Sequence, residues 1–160
     1  MVSACLLGEN CKYDGGNNLE KDLIEYLKDK DVIPVCPEVM GGLLIPRIPS
    51  EIREGIVVNR EGAIVDREFR EGARRTLDKA LREQPDLIIL QSRSPSCGVK
   101  QHYDGTFSGT LTEGPGITAE LLIEQGFSVV DVEDFKKLKT FLCTMTGADV
   151  KNHKNVTLPK

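Results

Sequence analysis

Leu87-Ile88-Ile89-Leu90-Gln91-Ser92-Arg93-Ser94-Pro95-Ser96-Cys97-Gly98 runs an unbroken apolar stretch straight into a turn-forming Ser-Pro-Ser-Cys-Gly segment. An apolar run of strand length with no polar alternation is what a strand covered on both faces requires, and parallel sheets supply that cover. Upstream, Phe69, Ala73, Leu77, Ala80 and Leu81 form one apolar stripe within Arg67 to Glu83, with Asp66 placed to cap that helix and Pro85 closing it. Downstream, Ile117 to Gln125 reads as a helix, Ser128 to Val132 as a strand and Val132 to Met145 as a last helix before a polar tail from Gly147. The order is strand, helix, strand.

The first half repeats that order. Residues 1 to 6 start as a strand, a loop follows through Gly16, and from Asn18 the positions Leu19, Leu23, Ile24 and Leu27 recur at helical spacing. Val32 to Val35 is a brief strand that delivers the chain to Cys36-Pro37-Glu38. Gly41 to Pro49 is rich in breakers and reads as an irregular ordered loop. Ile56 to Val58 and Ala63 to Val65 flank Asn59-Arg60-Glu61-Gly62, which predicts an inserted β-hairpin. The whole predicts an α/β three-layer sandwich with a mostly parallel sheet. Residues 1–135 form its single domain, and 136–160 a C-terminal helix and tail packed on it or trailing from it.

Bulk properties exclude several classes. The 160 residues suffice for a core without disulfide staples. No apolar run is long enough to span a bilayer, and MVSACLLG lacks the basic start of a secretory signal, so a cytoplasmic location is expected. The 21 basic residues are scattered among 25 acidic ones, which argues against nucleic acid as the main partner. Neither G-x-x-x-x-G-K-[ST] nor G-x-G-x-x-G is present, so the familiar phosphate-binding loops are absent.

Cys5 closes the first expected strand, Cys36 the second, and Cys97 lies in the loop after the third. In an open parallel sheet, ligands bind beyond the carboxyl ends of the strands, so these three thiols should gather at one edge. Three soft ligands suit zinc, cuprous copper or an iron-sulfur cluster. No C-x-x-C knuckle of the structural zinc type is present. A 4Fe-4S cluster on three cysteines leaves one iron open, a Lewis acid able to hold a soft donor atom. Cys11 could join as a fourth ligand, and Cys143 is most simply core.

Around the thiols, Glu38 should face the same edge and serve as general acid or base with a raised pKa, or simply be an exposed loop glutamate. Ser94 and Ser96 flank Pro95 and could hold a water or a substrate oxygen, or only make turn hydrogen bonds. Arg47 could grip an anionic or carbonyl oxygen, or simply be a surface arginine or one paired with Glu51. Tyr-Asp-Gly occurs as Tyr13-Asp14-Gly15 and as Tyr103-Asp104-Gly105, either as two facing loops at the site or as two ordinary turns. His102 and His153 are too few and too separated for a metal site or a triad.

Taken together, Ser3-Ala4-Cys5-Leu6-Leu7-Gly8, Cys36-Pro37-Glu38, Pro46-Arg47, Ser94-Pro95-Ser96-Cys97-Gly98 and Tyr103-Asp104-Gly105-Thr106-Phe107-Ser108-Gly109 resemble the bacterial family of unknown function that includes the thiouracil desulfidases. The resemblance runs to about residue 135. It implies a Rossmann-like fold and a 4Fe-4S cluster on Cys5, Cys36 and Cys97, with one open iron site. It further implies replacement of sulfur by oxygen on a small thiolated heterocycle, with release of sulfide and no redox use of the cluster. In that setting Glu38 and Ser94 are the expected catalytic residues, with Ser96, Arg47, Tyr103 and Asp104 around the substrate. Gln91 stands where a lysine is common in the family, which puts thiouracil itself in question as the substrate. The competing reading is a non-catalytic iron-sulfur or zinc-binding sensor or interaction domain. Either a monomer or a homodimer is compatible with the sequence.

Overall fold

The computed structural model describes residues 1–138; the end of the helix expected over 132–145, Cys143, His153 and the polar tail lie outside the described residues. Four parallel strands form the central sheet: β1 (Val2–Ser3), β2 (Pro34–Val35), β5 (Ile88–Leu90) and β8 (Val129–Asp131), in the order β2-β1-β5-β8. Pro34 lacks an N–H to give a ladder and is tolerated because β2 is an edge strand.

The apolar run sorts its side chains to both faces of this sheet. Ile89 packs with Val2, Leu6 and Leu23 and with Val132 and Phe135, so α1 (Lys21–Leu27) and the helical residues 132–138 cover one face. Ile88 and Leu90 pack with Val35, Ala80, Ala119 and Leu122, which places α3 (Asp66–Glu83) and α4 (Ile117–Glu124) on the other. This is the three-layer arrangement that an unbroken apolar strand demands. On the α3 stripe, Phe69, Ala73 and Ala80 are buried as expected, while Leu81 is exposed.

Two details of the expected α3 entry differ. Asp66 does not cap the helix; it is its first residue, and its carboxylate accepts a hydrogen bond from Val57 N (3.1 Å) and pairs with Arg70. The inserted hairpin is also offset from its expected register. It consists of β3 (Ser50–Arg53) and β4 (Ile56–Asn59), joined by Glu54-Gly55 with φ of 50° and 80°. Positive φ at both central residues matches the right-handed twist of a two-residue hairpin turn. Ala63 to Val65 contributes only an isolated bridge from Ile64 to Val58. Ile52 and Val57 seat the hairpin on Phe69 of α3, each such buried side chain contributing roughly 1.5–3 kcal/mol. A second hairpin, β6 (Gln101–Tyr103) with β7 (Leu111–Glu113), lies between Gly98 and α4.

The short helix α2 (Pro37–Met40) crosses α3 at two glycines. A Cβ at Gly72 would stand 2.0 Å from Pro37 O, and one at Gly41 would stand 2.0 Å from Glu68 O. Backbone therefore lies on backbone, and the segment that carries Cys36 and Glu38 rests directly on the 18-residue α3.

Candidate active site

The chain leaves β1 for β2 on one side and later returns to β5 on the other, so the strand order reverses between β1 and β5. Splayed loops at such a reversal open a crevice. A cavity of about 490 Å³ lies there, within the roughly 300–1,000 Å³ usual for small-molecule sites. Cys5 reaches it from the 3-10 turn Ala4–Leu7 after β1, Cys36 from between β2 and α2, and Cys97 from the loop after β5. All three expected thiols line the one cavity, and so does Cys11.

Cys5, Cys11, Cys36 and Cys97 are free thiols, and three of the four are buried. Burial, with the charges of Cys36 and Glu38 adding to it, pushes the Cys97 thiol up to about 12 against opposing hydrogen bonds from Ser3 and Ser94. Cys11 and Cys36 share a hydrogen bond that lowers the first and raises the second; a contact with Cys5 and burial then carry Cys11 up to about 11. Cys36 Sγ also lies 3.7 Å from the Cys11 carbonyl. Cys11, left open by the sequence, is thus part of the thiol group. Among the described residues no three His, Cys, Asp or Glu side chains converge on a point that a single metal ion could occupy.

Glu38 is held from two sides. Arg47 Nε donates to its Oε2 at 2.8 Å and Arg47 Nη2 lies 2.7 Å from the same atom. On the other side, Ser94 Oγ donates to Oε1 at the long distance of 3.5 Å. Arg47 also donates to the Cys11 carbonyl at 3.0 Å, and the pair is largely buried, with side chains 9% and 16% exposed. The sequence offered Glu51 as the partner of Arg47; the structure gives it Glu38. Ser94 Oγ accepts from Ser96 N and Cys97 N, both at 3.1 Å, so one hydroxyl shapes the Cys97 turn and touches Glu38.

The remaining expected residues separate. Tyr103 lines the cavity, but Ser96 and Asp104 do not. Ser96 is fully buried, and its hydroxyl finds no hydrogen-bond partner among the described residues. In both Tyr-Asp-Gly segments the aspartate closes a turn, Asp14 accepting from Gly16 N at 2.9 Å and Asp104 from Thr106 N at 3.0 Å. Both tyrosines line the cavity, so the repeat joins turn chemistry to a wall residue. Gln91 is a lining residue too; its N–H donates to Ser3 Oγ at 3.0 Å and its side-chain amide to Ser92 O at 3.2 Å.

Sequence reasoning missed Glu51. It is only 8% exposed, and its Oε2 accepts from Gly105 N at 3.0 Å and Phe107 N at 2.9 Å. A charged residue next to a breaker-rich loop gives no signal of burial.

An α/β domain with grouped thiols at its strand reversal, and a paired carboxylate beside them, is the architecture of a small-molecule site. The 2-thiouracil desulfurase family model matches residues 1–134, and the chain belongs to that family. It is 34% identical to the uncharacterized protein YbbK of Bacillus subtilis (strain 168) over 148 residues, which cover 86% of this chain and 98% of that protein. Among solved structures it is similar to the [4Fe-4S]-dependent thiouracil desulfidase TudS, with a TM-score of 0.78 and 34% identity, covering 90% of this chain and 97% of that one. Among the described residues no helix is long and apolar enough to cross a membrane.

Proposed function

We propose that this chain is a cytoplasmic enzyme that replaces the sulfur of a small thiolated heterocycle by oxygen and releases sulfide. Cys5, Cys36 and Cys97 would hold a 4Fe-4S cluster, whose open iron supplies a Lewis acid for the leaving sulfur. The donor set suits that group. Cys5, Cys36 and Cys97 are free thiols on one cavity, the soft donors that such a cluster takes. Free thiols around a cavity also suit a reducing compartment.

The observation that carries the reading is Glu38, a carboxylate fixed between Arg47 and Ser94 in the cavity that all three cysteines line. In the reaction, water adds its oxygen to the ring carbon, the C–S bond breaks and both water protons leave with the sulfide; no electrons are exchanged. Glu38 takes a proton from that water, and the Ser94 hydroxyl, in reach of Oε1, positions the water or relays the proton. Arg47 holds the carboxylate still while its other contacts anchor the Cys11 loop.

Anaerobic turnover of 2-thiouracil and 4-thiouracil by cluster-reconstituted protein tests this directly. Stoichiometric sulfide and oxo product are expected. Protein that carries the cluster but releases no sulfide from either compound or from other thio-heterocycles would sink the desulfidase reading.

A further inference from the structure

The lining of the cavity includes an aromatic ring whose placement costs the backbone. Phe107 has φ +57°. A bulky residue in the left-handed region persists only where its surroundings enforce it, and such positions cluster at ligand sites. Here the enforcement is visible. Glu51, buried on β3, accepts from the N–H groups of both Gly105 and Phe107. Arg53 donates through Nε to the Gly105 carbonyl at 2.9 Å, and Gly105 lies so close to β3 that a Cβ there would stand 2.5 Å from Arg53 Cβ.

The loop after β6 is thereby pinned to the inserted hairpin, and Phe107 is delivered to the cavity lining. The Arg60 guanidinium, just after β4 and also in the lining, stands 5.7 Å from the ring centroid as a cation over one π-face. Neither hairpin is needed to complete the parallel sheet. Both converge on this ring.

We propose that Phe107 is the stacking platform for the flat ring of the substrate, and that Glu51 is the positioning residue that presents it. This rests on the reading of the occupant as a planar heterocycle. A π-face selects for planar conjugated rings whatever their exocyclic atoms, because stacking is tolerant of ring substituents. Substrate class would thus be set at Phe107, and the atom exchanged at the thiol edge.

The chain contains no tryptophan, so Phe107→Trp introduces a single indole reporter on the platform itself. Uracil, which has no sulfur to exchange, is the probe. With cluster-loaded protein, saturable quenching of this indole by uracil is expected. By calorimetry, Phe107→Leu, which keeps bulk and loses the π-face, should weaken uracil binding about five- to hundredfold, the range that stacking on aromatics spans. Glu51→Ala should raise KM for the thiolated ring with little change in kcat, and Glu51→Gln, which keeps an acceptor, should recover most of it. Uracil binding to Phe107→Leu within twofold of the parent overturns the platform, as does failure of the parent to bind uracil or 2-thiouracil at all. A parent that binds uracil through Phe107 yet releases no sulfide supports the platform while refuting the desulfidase reading.

Discussion

The two walls of the cavity are built by different means. The thiol wall comes from the ends of β1, β2 and β5, strands locked in the sheet, and its side chains are short and, Cys36 apart, buried. The hairpin wall comes from two hairpins outside the sheet, and it is held by long-range polar ties: Glu51 to Gly105 and Phe107, and Arg53 to Gly105. A sheet edge fixes positions to the tolerance of packed strands, which suits groups that must share one cofactor. Hairpins tied by a few hydrogen bonds can be re-cut without disturbing that edge, which suits choice of substrate.

The sharpest way to break this contrast is Cys97→Ser. Iron and labile sulfide in anaerobically reconstituted protein should fall from about four each to near zero. Full cluster content in this variant would overturn the ligand assignment. Next in size, Glu38→Gln should lower kcat by about 10²–10⁴-fold, the usual worth of a positioned acid-base group, with cluster content unchanged. A variant as fast as the parent would remove Glu38 from the chemistry.

Arg47→Met leaves the Glu38 carboxylate without its cation in a largely buried position. Such a break costs about 3 kcal/mol, read as a lower urea midpoint; an unchanged midpoint would mean water already screens the pair. On the hairpin wall, Gly105→Ala forces a Cβ against Arg53 at a φ of +87° and should cost about 1–3 kcal/mol and raise KM, with iron content unaltered. Loss of iron in this variant would show that the walls are not independent.

The smallest effect is on pH. In folded, cluster-free chain the Cys97 thiol is pushed up to about 12, against 9.0 for an unburied cysteine. The folded state keeps a proton that the unfolded state gives up, so this stabilisation is complete below about pH 9 and lost as pH rises toward 12. Between about pH 8 and about pH 10 the urea midpoint of cluster-free protein should therefore fall further than that of Cys97→Ala. Equal falls would place the thiol in water.

Legibility in the sequence followed burial. Ile88, Ile89 and Leu90 announced a two-faced strand because apolar burial is written in residue type, and the cysteines followed because strand ends fix where they go. The β3–β4 register was lost at Glu54, where a non-glycine residue takes a positive φ and hides the turn, and at Ser50 and Glu51, polar residues beside a proline-rich loop. β6 and β7 are three residues each, too short for any period to show. The partner of Arg47 was missed because side-chain pairing across a cavity depends on tertiary placement: Glu51, close in sequence, turns toward Gly105, while Glu38 swings in from α2.

The glycine crossing of α2 on α3 has a mechanical consequence. With only main chain between Gly41 and Gly72, no side chain is available to yield, so the Cys36-to-Glu38 segment inherits the stiffness of an 18-residue helix. Heating should then spare the alignment of the reacting groups until α3 itself gives way, and catalytic competence and cooperative folding should vanish at one temperature.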